Sequence, residues 1–290
     1  MEKSSYDIEK VYKEIGTIDS YFGVKKENGK TSLYYNELIH KYCNYSITSG
    51  TGGCDVYFQW ANCGFIYLLK LLKDKYNLDY DKLAQYAILW LSYKLNTAPD
   101  GCNINLVKFY TEYIEKNYYY NEKIKDNGST TYKGIIDKKK DFMNIKEIPK
   151  FNALFFILFS SYHFIYDNNF DCTVYLNFVN QFVQYFQELN NDSKNIEKSS
   201  FSQILSTLSN DYKNLKNICD NDKSCKIPPI PQLNPKKINA LSPESTSSSS
   251  SILNIVIPGL STFAIPVFLV VAYKTLFKKQ IKKNKEENET

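Results

Sequence analysis

Apolar residues recur at helical spacing along most of the first 226 residues of the chain. The spacing predicts helices in five segments: 58–76, 83–95, 104–120, 149–166 and 173–189. Pro149 suits the first turn of the fourth helix, and Ser200 followed by Gln203 has the form of a capping box that opens a sixth helix. Long runs of strict alternation are missing from the sequence. The pattern therefore predicts an all-α fold with one helical globular domain.

The segment FNALFFILFSSYHFI at 151–165 is the most apolar part of this domain. It is short for a bilayer crossing and is interrupted by Asn152, Ser160 and Ser161, so it is predicted to be the central core helix. The large apolar residues of the periodic segments should pack around it. The residues expected in the core are Trp60, Leu68, Ile88, Trp90, Phe155 and Phe159.

A different pattern occupies 252–273, where ILNIVIPGLSTFAIPVFLVVAY runs for 22 residues without a charge. A helix of that length spans roughly 33 Å, enough to cross a hydrocarbon core of about 30 Å. The predicted organisation is a helical domain at 1–226, a Pro/Ser-rich linker at 227–251, a transmembrane helix at 252–273 and a Lys-rich tail at 274–290. Because lysines cluster just after the span, the tail is predicted to be cytosolic and the N-terminal domain external.

The charge of the chain limits the kinds of molecule that it is expected to bind. All 36 basic residues are lysine and the formal net charge is +5, but the tail holds six Lys against three Glu, which leaves +2 for the rest. Arginine is the preferred residue for bidentate contacts with phosphates and bases. A nearly neutral domain without arginine is therefore not expected to bind nucleic acid.

The seven cysteines are the candidate site residues, as disulfide partners in an external domain. The short Cys219–Cys225 loop and the group formed by Cys43, Cys54 and Cys63 are the first places to expect pairing. An odd number leaves one thiol free or intermolecular, and the sequence does not fix the pairing; seven reduced thiols are the alternative. The candidates are Cys43, Cys54, Cys63, Cys102, Cys172, Cys219 and Cys225.

Metal-binding and catalytic patterns are weak. His40, Cys43, Cys54 and Cys63 could supply four zinc ligands, but only His40 and Cys43 have close ligand spacing. The GTGG run at 50–53 lacks the Gly-Lys-Ser/Thr ending of a phosphate-binding loop. His163, on an apolar helix face, is interpreted as a packed core histidine. No hydrolase, metalloprotease or kinase set is present in the sequence. We therefore expect no catalytic residues, no cofactor and no metal.

Seven sequence pieces, in order, resemble the Plasmodium interspersed repeat (PIR) family, whose rodent-parasite branches are called Cir, Yir and Bir. Two of them are CGFIYLLKLL at 63–72 and IIDKKKDFMNIKEIPKFNALF at 135–155. The others are YCNYS to the next Cys at 42–54, AILWLSYKLN at 87–96, INLVKFYTEYI at 104–114, QILSTLSNDYKNLKNIC at 203–219, and a C-terminal serine run followed by IPGLSTF and FLVVAYKTLFKK.

The resemblance implies a multigene variant antigen of malaria parasites with a helical, disulfide-braced domain on a C-terminal anchor. It also implies a location at the parasite or infected red-cell membrane, with the lipid bilayer and host-cell proteins or antibodies as partners, and no enzymatic activity. One alternative is a tail-anchored intracellular adaptor whose helical domain is cytosolic and whose cysteines are reduced. An enzyme with an unrecognised site is the other.

Overall fold

The computed structural model describes residues 7–27, 30–42, 53–124, 129–165, 171–222 and 225–237. Short 3-10 helices lie at Glu37–Tyr42 and Tyr118–Asn121, and a π-helical turn covers Tyr110–Ile114. The α-helices and strands of the described residues are α1 (Ile8–Asp19), β1 (Phe22–Glu27), β2 (Lys30–Tyr35), α2 (Cys54–Tyr76), α3 (Tyr80–Asn96), α4 (Leu106–Phe109), α5 (Tyr132–Asp137), α6 (Lys140–Met143), α7 (Ile148–Phe164), α8 (Cys172–Asn191) and α9 (Ser200–Asp222).

Helix α7 is the centre of the core, as the sequence predicts. All its side chains from Phe151 to Tyr162 are buried, and it contacts α1, α3, α8 and α9. Pro149 lies in its first turn, where the missing N–H has no helical partner to lose. The six residues expected in the core are all buried, and they belong to one continuous hydrophobic cluster. The predictions for α2, α3, α8 and α9 are confirmed as well.

The domain is mostly helical rather than all-α, because β1 and β2 form an antiparallel hairpin. Its strands are too short to give a clear alternating pattern. Tertiary contacts hold it: Phe22 is buried between the rings of Tyr57, Trp60 and Trp90, with centroid distances of 5.3–6.3 Å. Lys94 Nζ also donates to Phe22 O at 2.8 Å. The prediction missed the hairpin because these partners lie far along the chain.

The continuous helix expected at 104–120 is wrong. The chain instead forms α4, the π-helical turn and a 3-10 helix. Phe109 and Tyr113 stack with centroids 4.8 Å apart and both meet Phe58 edge-on, so the wider turn serves ring packing against α2. After this turn, Asn117 Oδ1 accepts from Tyr119 N and starts the 3-10 helix.

The capping box expected from Ser200 and Gln203 at the start of α9 is wrong. Ser199, not Ser200, supplies the cap, since its Oγ accepts from Ser202 N at 3.1 Å. The side-chain amide of Gln203 donates to Lys198 O, and Lys198 has a positive φ of 63°. The left-handed turn at Lys198 moves the cap, which the spacing of Ser and Gln in the sequence does not reveal.

Among the described helices, none combines the length and the apolarity that crossing a bilayer requires. The predicted span at 252–273 and the tail at 274–290 lie outside the described residues.

Candidate functional site

Two disulfides between distant parts of the chain brace the helices. Cys54, the first residue of α2, pairs with Cys102 beyond the end of α3, with their Cα atoms 5.1 Å apart. Cys172, the first residue of α8, pairs with Cys225 beyond α9 at a Cα distance of 5.5 Å. The bridged residues are separated by 48 and 53 positions. Bridges across such long loops remove about 4 kcal/mol of chain entropy from the unfolded state.

The expected Cys219–Cys225 bridge is wrong, because Cys225 is bonded to Cys172, and Cys219 is buried outside that bridge. It lies on α9 with its Sγ 3.6 Å from the hydroxyl of Tyr175 on α8. Helix α9 continues to Asp222, and Cys225 then pairs with α8 rather than with its own helix. A bridge across six residues would have contributed only about 2 kcal/mol on the same entropy scale.

The remaining cysteines weigh against the zinc alternative. Cys54 is used by its bridge to Cys102, and Cys63 is disulfide-bonded too, so neither is available as a thiolate ligand. Cys43 lies outside the described residues. Within the part of the chain that the structure describes, no three His, Cys, Asp or Glu side chains converge in a way that could hold a metal.

The two histidines sit in ordinary packing positions. The ring of His40 meets Tyr35 edge-on with a centroid distance of 5.7 Å, and burial lowers the pKa of its imidazole. His163, near the end of α7, is half-buried, with its ring 6.4 Å from that of Phe164.

Residues 225–237 form a C-terminal strap that runs along α8 and α9. Ile227 is buried, and its carbonyl accepts from Lys216 Nζ at 2.8 Å. The next carbonyl, that of Pro228, accepts from the hydroxyl of Tyr212 at 2.7 Å. Prolines keep the strap extended, so its carbonyls are available to α9 side chains. Packing thus continues beyond Lys226 into the segment that composition alone suggests is linker.

The end of the strap is held by the last turn of α8 and by the loop that follows it. Asn190 Nδ2 donates to Gln232 O, and Asn190 Oδ1 accepts from Asn234 N at 3.0 Å. Lys236 N donates to Asn195 O at 2.8 Å, and Lys236 O accepts from Glu197 N at 2.9 Å. The path of the chain toward the predicted span therefore starts beside the α8–α9 loop.

Asp211 of α9 is the centre of a buried polar cluster. Its Oδ2 accepts from the hydroxyls of Tyr12 on α1 and Tyr86 on α3 at 2.8 and 2.9 Å, and its carbonyl accepts from Tyr162 on α7. Burial raises the pKa of the carboxyl to about 6, while the charge of Lys82 and the two tyrosine hydrogen bonds oppose the rise. The side chain joins four helices and is closed off from solvent, so it serves packing rather than chemistry on a bound molecule.

A buried ion pair fixes the other end of α3. Lys94 Nζ donates to Asp19 Oδ1 at 3.0 Å and lies 4.0 Å from the centroid of the Phe22 ring. Burial lowers the pKa of Lys94, and the charge and hydrogen bond of Asp19 oppose this. With 3% and 4% of their surface exposed, Lys94 and Asp19 hold α1, β1 and α3 together. Removing one partner alone would leave a buried charge without compensation.

The fold and its bridges define a class: a helical, disulfide-braced domain whose C-terminal strap returns along the last two helices. The family model described as "Plasmodium variant antigen protein Cir/Yir/Bir" matches residues 12–274. The chain belongs to this family of Plasmodium variant antigens, which confirms the resemblance seen in the sequence.

Three chains of solved structures match this chain. One of them, described as "Structure of a Plasmodium PIR protein ectodomain", is 32% identical, with a TM-score of 0.51. The match covers 78% of this chain and 99% of that one. A comparison with curated proteins gives no significant match.

Proposed function

We propose that this chain is a non-enzymatic, single-pass surface antigen whose helical domain faces away from the cytosol and whose Lys-rich tail stays in it. Membership of a variant-antigen family supports the antigen role. The observation that carries the orientation is the pair of long-range disulfides, Cys54–Cys102 and Cys172–Cys225. Such bridges form and persist in oxidising compartments, so they favour an external domain over a reduced cytosolic adaptor.

The strap supports an attachment of the domain close to the bilayer. Its last hydrogen-bonded residue, Lys236, lies against the α8–α9 loop. Only the residues numbered 238–251 separate the strap from the predicted span, and fourteen residues reach at most about 50 Å when fully extended. The domain is therefore tethered to the predicted span from its α8–α9 loop, within about 50 Å of the bilayer.

The partners that fit this proposal are the lipid bilayer, through 252–273, and host-cell proteins or antibodies. Nucleic acid does not fit, because the chain lacks arginine and is nearly neutral outside its tail. Enzymatic activity is not expected either, since the carboxyl of Asp211, whose pKa burial raises to about 6, is enclosed by tyrosines in the core.

Protease protection on intact infected cells tests the orientation. The chain would carry one epitope tag after Thr290 and a second between Met1 and Glu2. External protease should destroy the N-terminal tag without permeabilisation and leave a short fragment with the C-terminal tag; detergent should expose both. Retention of the N-terminal tag in unpermeabilised cells, with all seven cysteines alkylated before reduction, would instead support the cytosolic adaptor.

A further inference from the structure

Four exposed lysines lie on the side of the domain from which the chain continues toward the predicted span. Lys198 belongs to the loop between α8 and α9, Lys236 and Lys237 end the strap, and Lys146 lies just before α7. The side chains of all four are exposed to solvent. We call these four residues the tether lysines.

The three segments that carry the tether lysines are joined to one another. Lys236 N donates to Asn195 O at 2.8 Å, and Glu197 N donates to Lys236 O at 2.9 Å, so the strap end lies along the α8–α9 loop. Lys194 of the same loop forms an ion pair with Glu147, the residue before α7. The loop, the strap end and the segment before α7 therefore form one continuous surface.

This surface carries an excess of positive charge. Lys194 and Glu147 neutralise each other, and the remaining carboxylates are the half-buried Asp192 and Glu197. In the described part of the chain, none of the four tether lysines forms an ion pair. Four lysines against two carboxylates leave +2, which equals the net charge of the whole chain outside its tail. The nearby helix Lys140–Met143 does not cancel this excess, since it contains one Lys and one Asp.

An apolar side chain is exposed among these lysines. Ile196 of the α8–α9 loop has 36% of its surface accessible, although it is a large aliphatic residue. It pairs with Lys236 in a parallel bridge, which sets the two side by side. At a membrane surface, an apolar group of this kind enters the headgroup layer while neighbouring ammonium groups stay at the level of the phosphates. The combination is thus suited to a lipid surface.

The chain itself keeps this surface close to a bilayer. Residues 238–251 connect the strap to the predicted span and reach at most about 50 Å. Between Lys237 and Lys274 the only charged residue is Glu244, so the tether lysines are the nearest cations on this side of the span. Because the connection is short, contact with the bilayer is intramolecular and occurs at a high effective concentration.

We propose that the tether lysines and Ile196 dock the domain onto anionic lipid headgroups of the bilayer that anchors the chain. This inference rests on the anchor at 252–273 that is part of the proposed function. The lipid phosphates and carboxylates would accept from the lysine ammonium groups. Each lysine close to an anionic membrane strengthens binding about fivefold, so four of them act together with the tether.

Docking in this way fixes which part of the domain faces outward. Helix α3 starts beside α9, where Lys82 Nζ donates to Thr207 Oγ1 at 2.7 Å, and it runs away from the α8–α9 loop. At its other end Lys94 Nζ donates to Phe22 O in the hairpin at 2.8 Å. With the tether lysines on the bilayer, the hairpin lies on the side away from the membrane and is open to host-cell proteins or antibodies.

Lysine acylation of the full chain in vesicles tests the docking. A membrane-impermeant acylating reagent is applied to chain in phosphatidylcholine vesicles and in vesicles that also contain phosphatidylserine, and mass spectrometry gives the rate at each lysine. With phosphatidylserine the tether lysines should react at least about fivefold more slowly. Lys108 and Lys213, which are exposed on α4 and α9, should react equally fast in both kinds of vesicle.

A pair of variants tests whether the lysine charges cause the protection, with Lys146 as the reporter. Lys236 makes its strap contacts through the backbone, so a new side chain spares them. The test variant carries Lys198→Gln, Lys236→Gln and Lys237→Gln. The matched control has the same charge change at exposed positions elsewhere, namely Lys108→Gln, Lys116→Gln and Lys213→Gln. Lys146 should lose its protection in the test variant and keep it in the control, and high salt should remove it from the parent.

Three results would overturn the proposal. Equal acylation rates of the tether lysines in both kinds of vesicle, with the chain still floating with the vesicles, would refute docking and leave the anchor intact. A chain that does not float with the vesicles would refute the anchor at 252–273 and this inference with it. Protection by a soluble sulfated polysaccharide, but not by phosphatidylserine vesicles, would assign the lysines to a soluble polyanion instead.

Discussion

Replacing Asp211 with Asn should remove a pH-dependent penalty from the folded state. The carboxyl is buried among four helices, and burial raises its pKa from the ordinary value of 3.8 to about 6. Between those two pH values the unfolded chain has lost the proton while the folded chain keeps it. Because the folded state then binds more protons, its stability falls as the pH rises from about 4 to about 6, and stays lower above that.

The size of the penalty follows from the same two values. A folded-state pKa raised by about two units lowers the free energy of unfolding by about 3 kcal/mol between acid and neutral pH. Asparagine is neutral at every pH and keeps an oxygen that can accept from Tyr12 and Tyr86 at 2.8 and 2.9 Å. The variant Asp211→Asn should therefore match the parent near pH 4 and exceed its free energy of unfolding by up to about 3 kcal/mol at pH 7.5.

The assay is denaturant unfolding of the full chain in detergent micelles, with disulfides intact, at several pH values. The chain has two tryptophans, Trp60 and Trp90, and both are buried, so their fluorescence reports on the core. The matched control is Asp74→Asn at an exposed position, which should leave the pH dependence unchanged. A difference between parent and Asp211→Asn that is constant from pH 4 to 7.5, or a variant less stable at neutral pH, would refute the reasoning.

Three further predictions concern the core, the strap and the anchor. Phe155→Ala should lower the free energy of unfolding by about 3–5 kcal/mol, because Phe155 is fully buried and its loss leaves a cavity; the same fluorescence assay measures it. Cys172→Ser with Cys225→Ser should cost about 4 kcal/mol and hasten proteolysis within the strap, and an unchanged cleavage rate would contradict a clamping role. Leu260→Lys with Val267→Lys should release the chain from alkaline-washed membranes, because each mid-bilayer lysine costs about 3 kcal/mol; full retention in the pellet would count against 252–273 as the anchor.

The sequence alone was sufficient to predict the long helices and which of their faces are buried. The apolar spacing of α2, α3 and α8 is local, and a residue such as Leu68 or Phe159 is buried whichever neighbour covers it. The family could likewise be recognised from ordered sequence pieces, since these are properties of the chain rather than of its contacts. The central position of α7 followed from its apolar composition on all sides.

Contacts between distant residues could be decided only by the tertiary structure. The hairpin depends on Phe22 entering an aromatic site built by α2 and α3, and the strap depends on Asn190 and Tyr212 meeting carbonyls far along the chain. Pairing of Cys225 with Cys172 rather than Cys219 depends on how α8 and α9 pack. Periodicity predicts which side of a helix is buried but not which part of the chain packs against it. Disulfides, buried ion pairs and strand pairings depend on that neighbouring part, so only the tertiary structure determines them.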